Sequence, residues 1–87
     1  MFKTGDWVYG IDKYHDDNFL TYGMVIGDMG DYYILYEQID KNIAKDTTIE
    51  RIYSEYVKNG ETNAVILEKE CAFATEQEAR EVLEVMK

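Results

Sequence analysis

The chain is most informative in what it lacks: its 87 residues include no proline, one cysteine and one histidine. A single cysteine, Cys71, excludes an internal disulfide, which suits a reducing compartment. No run of about 18 apolar residues is present, so we predict no membrane-spanning segment. Residues 1–6 also lack the apolar stretch of a signal peptide. We therefore expect a cytoplasmic protein.

Basic residues are scarce as well. Nine bases stand against 18 acids, which gives a net charge of −9. Residues 5–40 carry most of it, with eight acids and only one base, Lys13. A field of this sign repels phosphate backbones and anionic lipid. We predict no direct contact with nucleic acid or membrane, and we expect a protein partner with a basic surface. The sequence does not indicate an oligomeric state.

The hydrophobic content of 46% is ordinary for a folded protein. Two cores in 87 residues would each be too small to fold alone. No proline-rich, low-complexity or repeated tract marks a linker. The sequence therefore predicts one domain over residues 1–87.

The first forty residues have the pattern of an antiparallel sheet. Aromatic and β-branched residues predict strands at Trp7–Ile11, Tyr22–Gly27 and Tyr32–Gln38. Asp28-Met29-Gly30-Asp31 offers the residues that tolerate a tight turn, so the second and third strands should form a hairpin.

The middle of the chain, residues 47–58, is open to two interpretations. Apolar residues fall on a helical stripe at Ile49, Ile52, Tyr53, Tyr56 and Val57. Asn59-Gly60 could end such a helix or turn a hairpin. The polar residues that follow continue no alternation, and this favours the helix.

The end of the chain predicts a strand and a helix. Ala64–Ala74 has an alternating apolar pattern that Lys69 interrupts. Thr75 and Glu78 match a capping box, in which each side chain satisfies a free amide of the first helical turn. The helix that follows places one apolar stripe on the core, formed by Ala79, Val82, Leu83 and Met86. The predicted fold is α+β: an N-terminal antiparallel sheet, a middle helix and a capped C-terminal helix.

Three segments of the N-terminal half resemble small Src-homology-3-like barrels of the Tudor and KOW type. They are Gly5-Asp6-Trp7-Val8, Tyr22–Gly27 and Tyr32–Tyr36. The resemblance implies that the sheet curls into a small barrel and that the protein is a binding module. Modules of this kind that hold nucleic acid are usually basic, whereas this segment is acidic.

The sequence contains no recognisable catalytic, cofactor or metal motif. His15 lies beside Asp16 and Asp17, but no second histidine completes a metal site or a catalytic set. Cys71 shares a predicted strand face with Leu67, which is typical of a core cysteine. We expect a protein that is not an enzyme and that needs neither a cofactor nor a metal.

Tyrosine and aspartate are concentrated in the first forty residues, which hold six of the eight tyrosines and seven aspartates. Tyrosine is enriched in binding surfaces, and it is also a good strand former, so both roles stay open. The sequence predicts a partner-binding face formed by Asp16, Asp17, Asp28, Asp31, Tyr32, Tyr33 and Tyr36.

These features favour a non-enzymatic regulator or inhibitor that docks an acidic, tyrosine-rich face on a basic, nucleic-acid-binding protein. In size and charge the chain resembles the small acidic proteins of phages and mobile elements, including anti-CRISPR and anti-restriction proteins. The alternative is a Tudor-like module that binds a peptide or a cationic side chain in an aromatic groove. The groove would consist of Trp7, Tyr9, Tyr32 and Tyr36.

Overall fold

The computed structural model describes the backbone of residues 1–12, 19–59 and 64–86, and the side chains of the same residues except 55–59. The predicted α+β class is confirmed. In chain order the elements are β1 (Trp7–Asp12), β2 (Phe19–Asp28), β3 (Tyr32–Glu37), α1 (Lys41–Ala44), α2 (Ile49–Asn59), β4 (Ala64–Glu68), a 3₁₀ turn (Lys69–Cys71), β5 (Ala72–Phe73) and α3 (Glu76–Met86).

The five strands form one antiparallel sheet in the order β4-β3-β2-β1-β5. The predicted hairpin of β2 and β3 is confirmed. At its turn Gly30 has a φ of 86°, and the Asp28 carboxylate accepts the Gly30 N–H at 2.9 Å. The Met29 N–H donates to the Tyr32 carbonyl oxygen at 2.8 Å, which closes the turn.

The sheet is curled into a half-barrel, and this curl is compatible with a small barrel fold. β1 and β4 are not neighbours in the strand order, yet a Cβ atom on Gly10 would meet the Leu67 side chain at 2.7 Å. The concave face carries Val8, Val25, Leu35 and Leu67, each no more than 2% exposed. The core therefore lies inside the curl, where the two sheet halves face each other.

The segment predicted as one strand, Ala64–Ala74, is two short strands separated by the 3₁₀ turn. β4 pairs with β3 at one edge of the sheet, and β5 pairs with β1 at the other. A single straight strand could not reach both edges, so the chain must turn where Lys69 interrupts the apolar pattern. Cys71 ends the turn and is 3% exposed, which confirms its predicted place in the core.

The middle of the chain contains a helix, α2, as the apolar stripe predicted. Of the predicted stripe, Ile52 is buried at 2% exposure, whereas Tyr53 is 46% exposed and its hydroxyl donates to the Ile26 carbonyl oxygen at 3.0 Å. The side chains of Tyr56 and Val57 lie outside the described residues. The sequence pattern missed α1, which is too short to show a stripe. Asp40 caps it by accepting the Asn42 N–H at 2.9 Å. No helix of the described ranges is long and apolar enough to cross a membrane.

Thr75 caps the C-terminal helix as predicted. Its hydroxyl accepts the Glu78 N–H at 3.2 Å, and the Glu78 carboxylate accepts a hydrogen bond from the Thr75 hydroxyl at 3.0 Å. α3 packs against β1, β2 and β5 through Ala79 and Leu83, with Met86 at the edge of the core. The prediction for Val82 was wrong, because this side chain is 37% exposed and lies outside the core.

Leu83 and Val82 provide a matched pair for testing how α3 docks. Leu83→Ala removes a core side chain that is 8% exposed, and we expect it to lower the free energy of unfolding by about 2–4 kcal/mol. Val82→Ala changes an exposed neighbour and should cost less than about 1 kcal/mol. Urea denaturation measures both. Equal losses in the two variants would contradict the observed orientation of the helix.

Candidate functional site

The predicted partner-binding residues are only partly brought together. Asp28, Asp31 and Tyr32 meet at the β2–β3 turn, whereas Tyr36 lies further along β3 and is half-buried. Asp16 and Asp17 lie outside the described residues. The hairpin therefore supplies the part of the predicted face that the structure describes.

Tyr33 is not a surface residue, and its predicted role as a partner contact is wrong. Its side chain is 2% exposed, and its hydroxyl accepts the Phe2 N–H at 3.1 Å. The Phe2 ring meets the Tyr33 ring edge-on, with 6.2 Å between the centroids. Adjacent strand residues point to opposite faces, so Tyr32 points away from the core and Tyr33 points into it.

A second strand end completes the acidic site. Tyr32 at the start of β3 pairs with Glu68 at the end of β4, and the Lys69 N–H donates to the Asp31 carbonyl oxygen at 3.2 Å. These contacts set the 3₁₀ turn beside the hairpin and leave an open pocket of about 410 Å³ between them. We call this region the acidic tip. It consists of Asp28, Gly30, Asp31, Tyr32, Glu68, Lys69 and Glu70, and all of these except Asp28 line the pocket.

The charge of the acidic tip is negative although it contains a lysine. Lys69 Nζ lies 2.9 Å from the Asp28 carboxylate, and this hydrogen bond lowers the pKa of Asp28 and raises the pKa of Lys69. Because the pKa of Asp28 is lowered, the pair stabilises the folded protein at every pH above the ordinary pKa of aspartate. This stabilisation is lost as the pH falls through the pKa that Asp28 has in the folded protein. Asp31, Glu68 and Glu70 carry negative charge beyond that pair.

Glu68, Lys69 and Glu70 were missing from the predicted site. In the sequence they are visible only as a polar interruption of an apolar segment. Their proximity to the hairpin depends on the pairing of β3 with β4, which joins residues 28 to 36 positions apart in the chain. A local pattern carries no information about such pairing.

A second cluster lies on the convex face, where three aromatic rings from β1 and β2 meet. Trp7 stacks on Tyr22 with 5.2 Å between the centroids, and the Tyr9 ring lies 4.6 Å from that of Tyr22. The ladder explains the contact, because Tyr9 pairs directly with Tyr22 and Trp7 is two residues away on the same face. We call these three residues the aromatic cluster. Tyr22 was not among the predicted groove residues.

The predicted groove of Trp7, Tyr9, Tyr32 and Tyr36 is therefore assembled only in part. In the ladder Met24 stands between Trp7 and Tyr36. Tyr32 is four residues from Tyr36, or about 13 Å along the strand, and it belongs to the acidic tip. Of the four residues, only Trp7 and Tyr9 share a cluster.

A lysine of the chain itself covers the aromatic cluster. Lys41 Nζ lies 4.8 Å from the centroid of the Tyr9 ring and 5.5 Å from that of Tyr22, and it donates to the Tyr9 hydroxyl. The Glu76 carboxylate of α3 is 3.7 Å away. The hydrogen bond to Tyr9 raises the pKa of Lys41, and burial raises the pKa of Tyr22. The cluster is thus an aromatic surface with a cation bound to it.

Within the described ranges, no three histidine, cysteine, aspartate or glutamate side chains are arranged to hold a metal ion. His15 lies outside those ranges. The acidic tip and the aromatic cluster are suited to binding, because they offer charge, ring faces and hydrogen-bond acceptors. Searches of family models, curated proteins and solved structures find no match to the chain.

Proposed function

We propose that the protein is a non-enzymatic binding protein that inhibits or regulates its partner by docking the acidic tip on a basic protein surface. The observation that carries the proposal is the pocket between the hairpin and the 3₁₀ turn. Its lining includes three acidic residues, Asp31, Glu68 and Glu70, together with Tyr32.

The chemistry of this pocket suits an arginine or lysine side chain. Carboxylates form charge-assisted hydrogen bonds with guanidinium and ammonium groups, and a tyrosine ring supplies contact area at a small entropic cost. A pocket of about 410 Å³ has room for at least one such side chain. The acidic tip as a whole has four acids, Asp28, Asp31, Glu68 and Glu70, against the single base Lys69, which is a formal charge of −3.

The charge of the whole chain supports the same kind of partner. A net charge of −9 attracts basic proteins at long range, and nucleic-acid-binding proteins commonly carry basic grooves. An acidic protein that occupies such a groove would block the phosphate backbone from entering. We infer that the partner is of this class, as the targets of anti-CRISPR and anti-restriction proteins are, and that the protein acts in the cytoplasm. The half-barrel would serve as a Src-homology-3-like scaffold for the acidic tip.

Capture of the partner tests the proposal. Immobilised wild-type protein should retain a basic protein from a lysate of the natural host, and mass spectrometry would identify it. The double variant Asp31→Lys/Glu70→Lys should lose that protein, because both changes reverse charge at the pocket. A variant that reverses two exposed acids elsewhere, Asp46→Lys/Glu81→Lys, should retain it. Equal capture by both variants would contradict a role for the acidic tip.

A further inference from the structure

The aromatic cluster is a second exposed surface with its own chemistry, and it is separate from the acidic tip. Trp7, Tyr9 and Tyr22 are only half-buried, and the Lys41 side chain above them is 57% exposed. The backbone carbonyl oxygen of Tyr22 accepts the N–H of Gln38, which lies just beyond the end of β3, whereas Tyr32 begins that strand. The two surfaces are therefore roughly 20 Å apart along the sheet.

We propose that the aromatic cluster is a binding site for a lysine side chain of a partner protein, and that Lys41 is an internal occupant which that lysine displaces. The structure already places a lysine ammonium group at the site. Three kinds of acceptor surround it: the ring faces of Tyr9 and Tyr22, the Tyr9 hydroxyl and the Glu76 carboxylate.

The acceptors favour an ammonium group that carries hydrogens. The ring faces attract any cation, but the hydroxyl and the carboxylate also accept N–H hydrogen bonds. A fully methylated ammonium keeps its charge, so the rings and the Glu76 carboxylate still attract it, but it has no N–H group and cannot donate a hydrogen bond to either oxygen acceptor. The site should therefore prefer an unmodified lysine to a quaternary ammonium group.

Lys41 can leave without disturbing the core. It begins the four-residue helix α1, and its interactions with Glu76 and the rings are those of an exposed side chain. Exposed cation–π contacts and ion pairs are weak. Competition with Lys41 should therefore lower the affinity of the cluster for a partner lysine by only about threefold to tenfold. The proposal does not depend on the acidic tip and would stand if the tip had no partner.

The single tryptophan of the chain gives a direct measurement, because Trp7 belongs to the cluster. The probe is n-butylammonium chloride, which reproduces the lysine side chain, titrated at constant ionic strength while Trp7 fluorescence is recorded. In Lys41→Met, half-saturation should occur at about a fivefold lower concentration than in the wild type. Lys41→Arg keeps an internal cation and should behave like the wild type.

Three further arms make the experiment decisive. Tetramethylammonium should bind Lys41→Met more weakly than n-butylammonium, and n-butanol should give no saturable change. Adding Glu76→Gln to Lys41→Met should weaken n-butylammonium binding, with melting curves showing that the double variant is folded. Equal half-saturation in the wild type and Lys41→Met, or no saturable change in Lys41→Met, would overturn the proposal. Tighter binding of tetramethylammonium would overturn unmodified lysine as the ligand.

Discussion

Replacing Gly23 by alanine is expected to prevent the chain from folding at room temperature. A Cβ atom at this position would lie 2.9 Å from the carbonyl carbon of Tyr36, and closer still to its oxygen. Both atoms belong to the backbone of β3, so no side-chain rotation can relieve the clash. Overpacking a core costs about 1–3 kcal/mol where side chains can adjust, and a backbone clash costs more. A domain of this size has a small margin to absorb such a loss.

Gly27 on the same strand is the matched control. A Cβ atom there would meet the end of the Ile34 side chain at 3.2 Å, and that side chain can move by a few tenths of an ångström. We expect Gly27→Ala to retain a cooperative thermal transition and Gly23→Ala to have none, as followed by circular dichroism. A wild-type melting curve for Gly23→Ala would show that β2 and β3 do not approach as closely as described.

The elements that the sequence predicted well are those whose signals are local. The Asp28–Asp31 turn predicts the hairpin of β2 and β3. The capping pair of Thr75 and Glu78, three residues apart, predicts the start of α3. Val82 was misplaced for a related reason. The apolar stripe of a helix is wider than the set of residues that pack against the sheet. In α3 the buried residues of the stripe are Ala79 and Leu83.

The two surfaces could not be predicted because each depends on strand pairing. Tyr9 meets Tyr22 only through the register of β1 with β2, and Lys69 reaches the hairpin only through that of β3 with β4. The predicted strand over residues 64–74 also concealed the turn that carries Glu70. The sequence indicated aromatic and acidic residues of the N-terminal half, but it gave no sign that Glu68, Lys69 and Glu70 of the C-terminal half lie beside them. It could not indicate which of them share a site.

Side chains alternate between the two faces of a strand, and this alternation gives the adjacent residues Tyr32 and Tyr33 different roles. The sequence established that Tyr32 and Tyr33 face opposite sides of β3, but it did not identify the buried one. Tyr33 is buried because its face also carries Leu35 and is covered by the curl of the sheet. Tyr32, on the other face, is left beside Glu68 at the rim of the pocket.

Reversing the charge of the acidic tip should slow association with the partner strongly. If the tip docks on a basic surface, its field steers the encounter, and such steering raises on-rates by about 10- to 1000-fold. The double variant Asp31→Lys/Glu70→Lys should lose most of that gain. The Asp46→Lys/Glu81→Lys control changes the net charge equally, but both of its positions are exposed and neither lines the pocket. It should lose much less.

Salt dependence separates steering at the acidic tip from a general effect of net charge. The Debye length falls from about 10 Å at 0.1 M salt to about 3 Å at 1 M, so the on-rate of the wild type should fall steeply over that range. The on-rate of the reversed variant should change little or rise, while the control should keep most of the wild-type slope. The measurement is a salt series of association rates by surface plasmon resonance with the captured partner. If reversal at the tip and reversal elsewhere reduce the on-rate equally, net charge alone governs the encounter and the acidic tip is not the docking site.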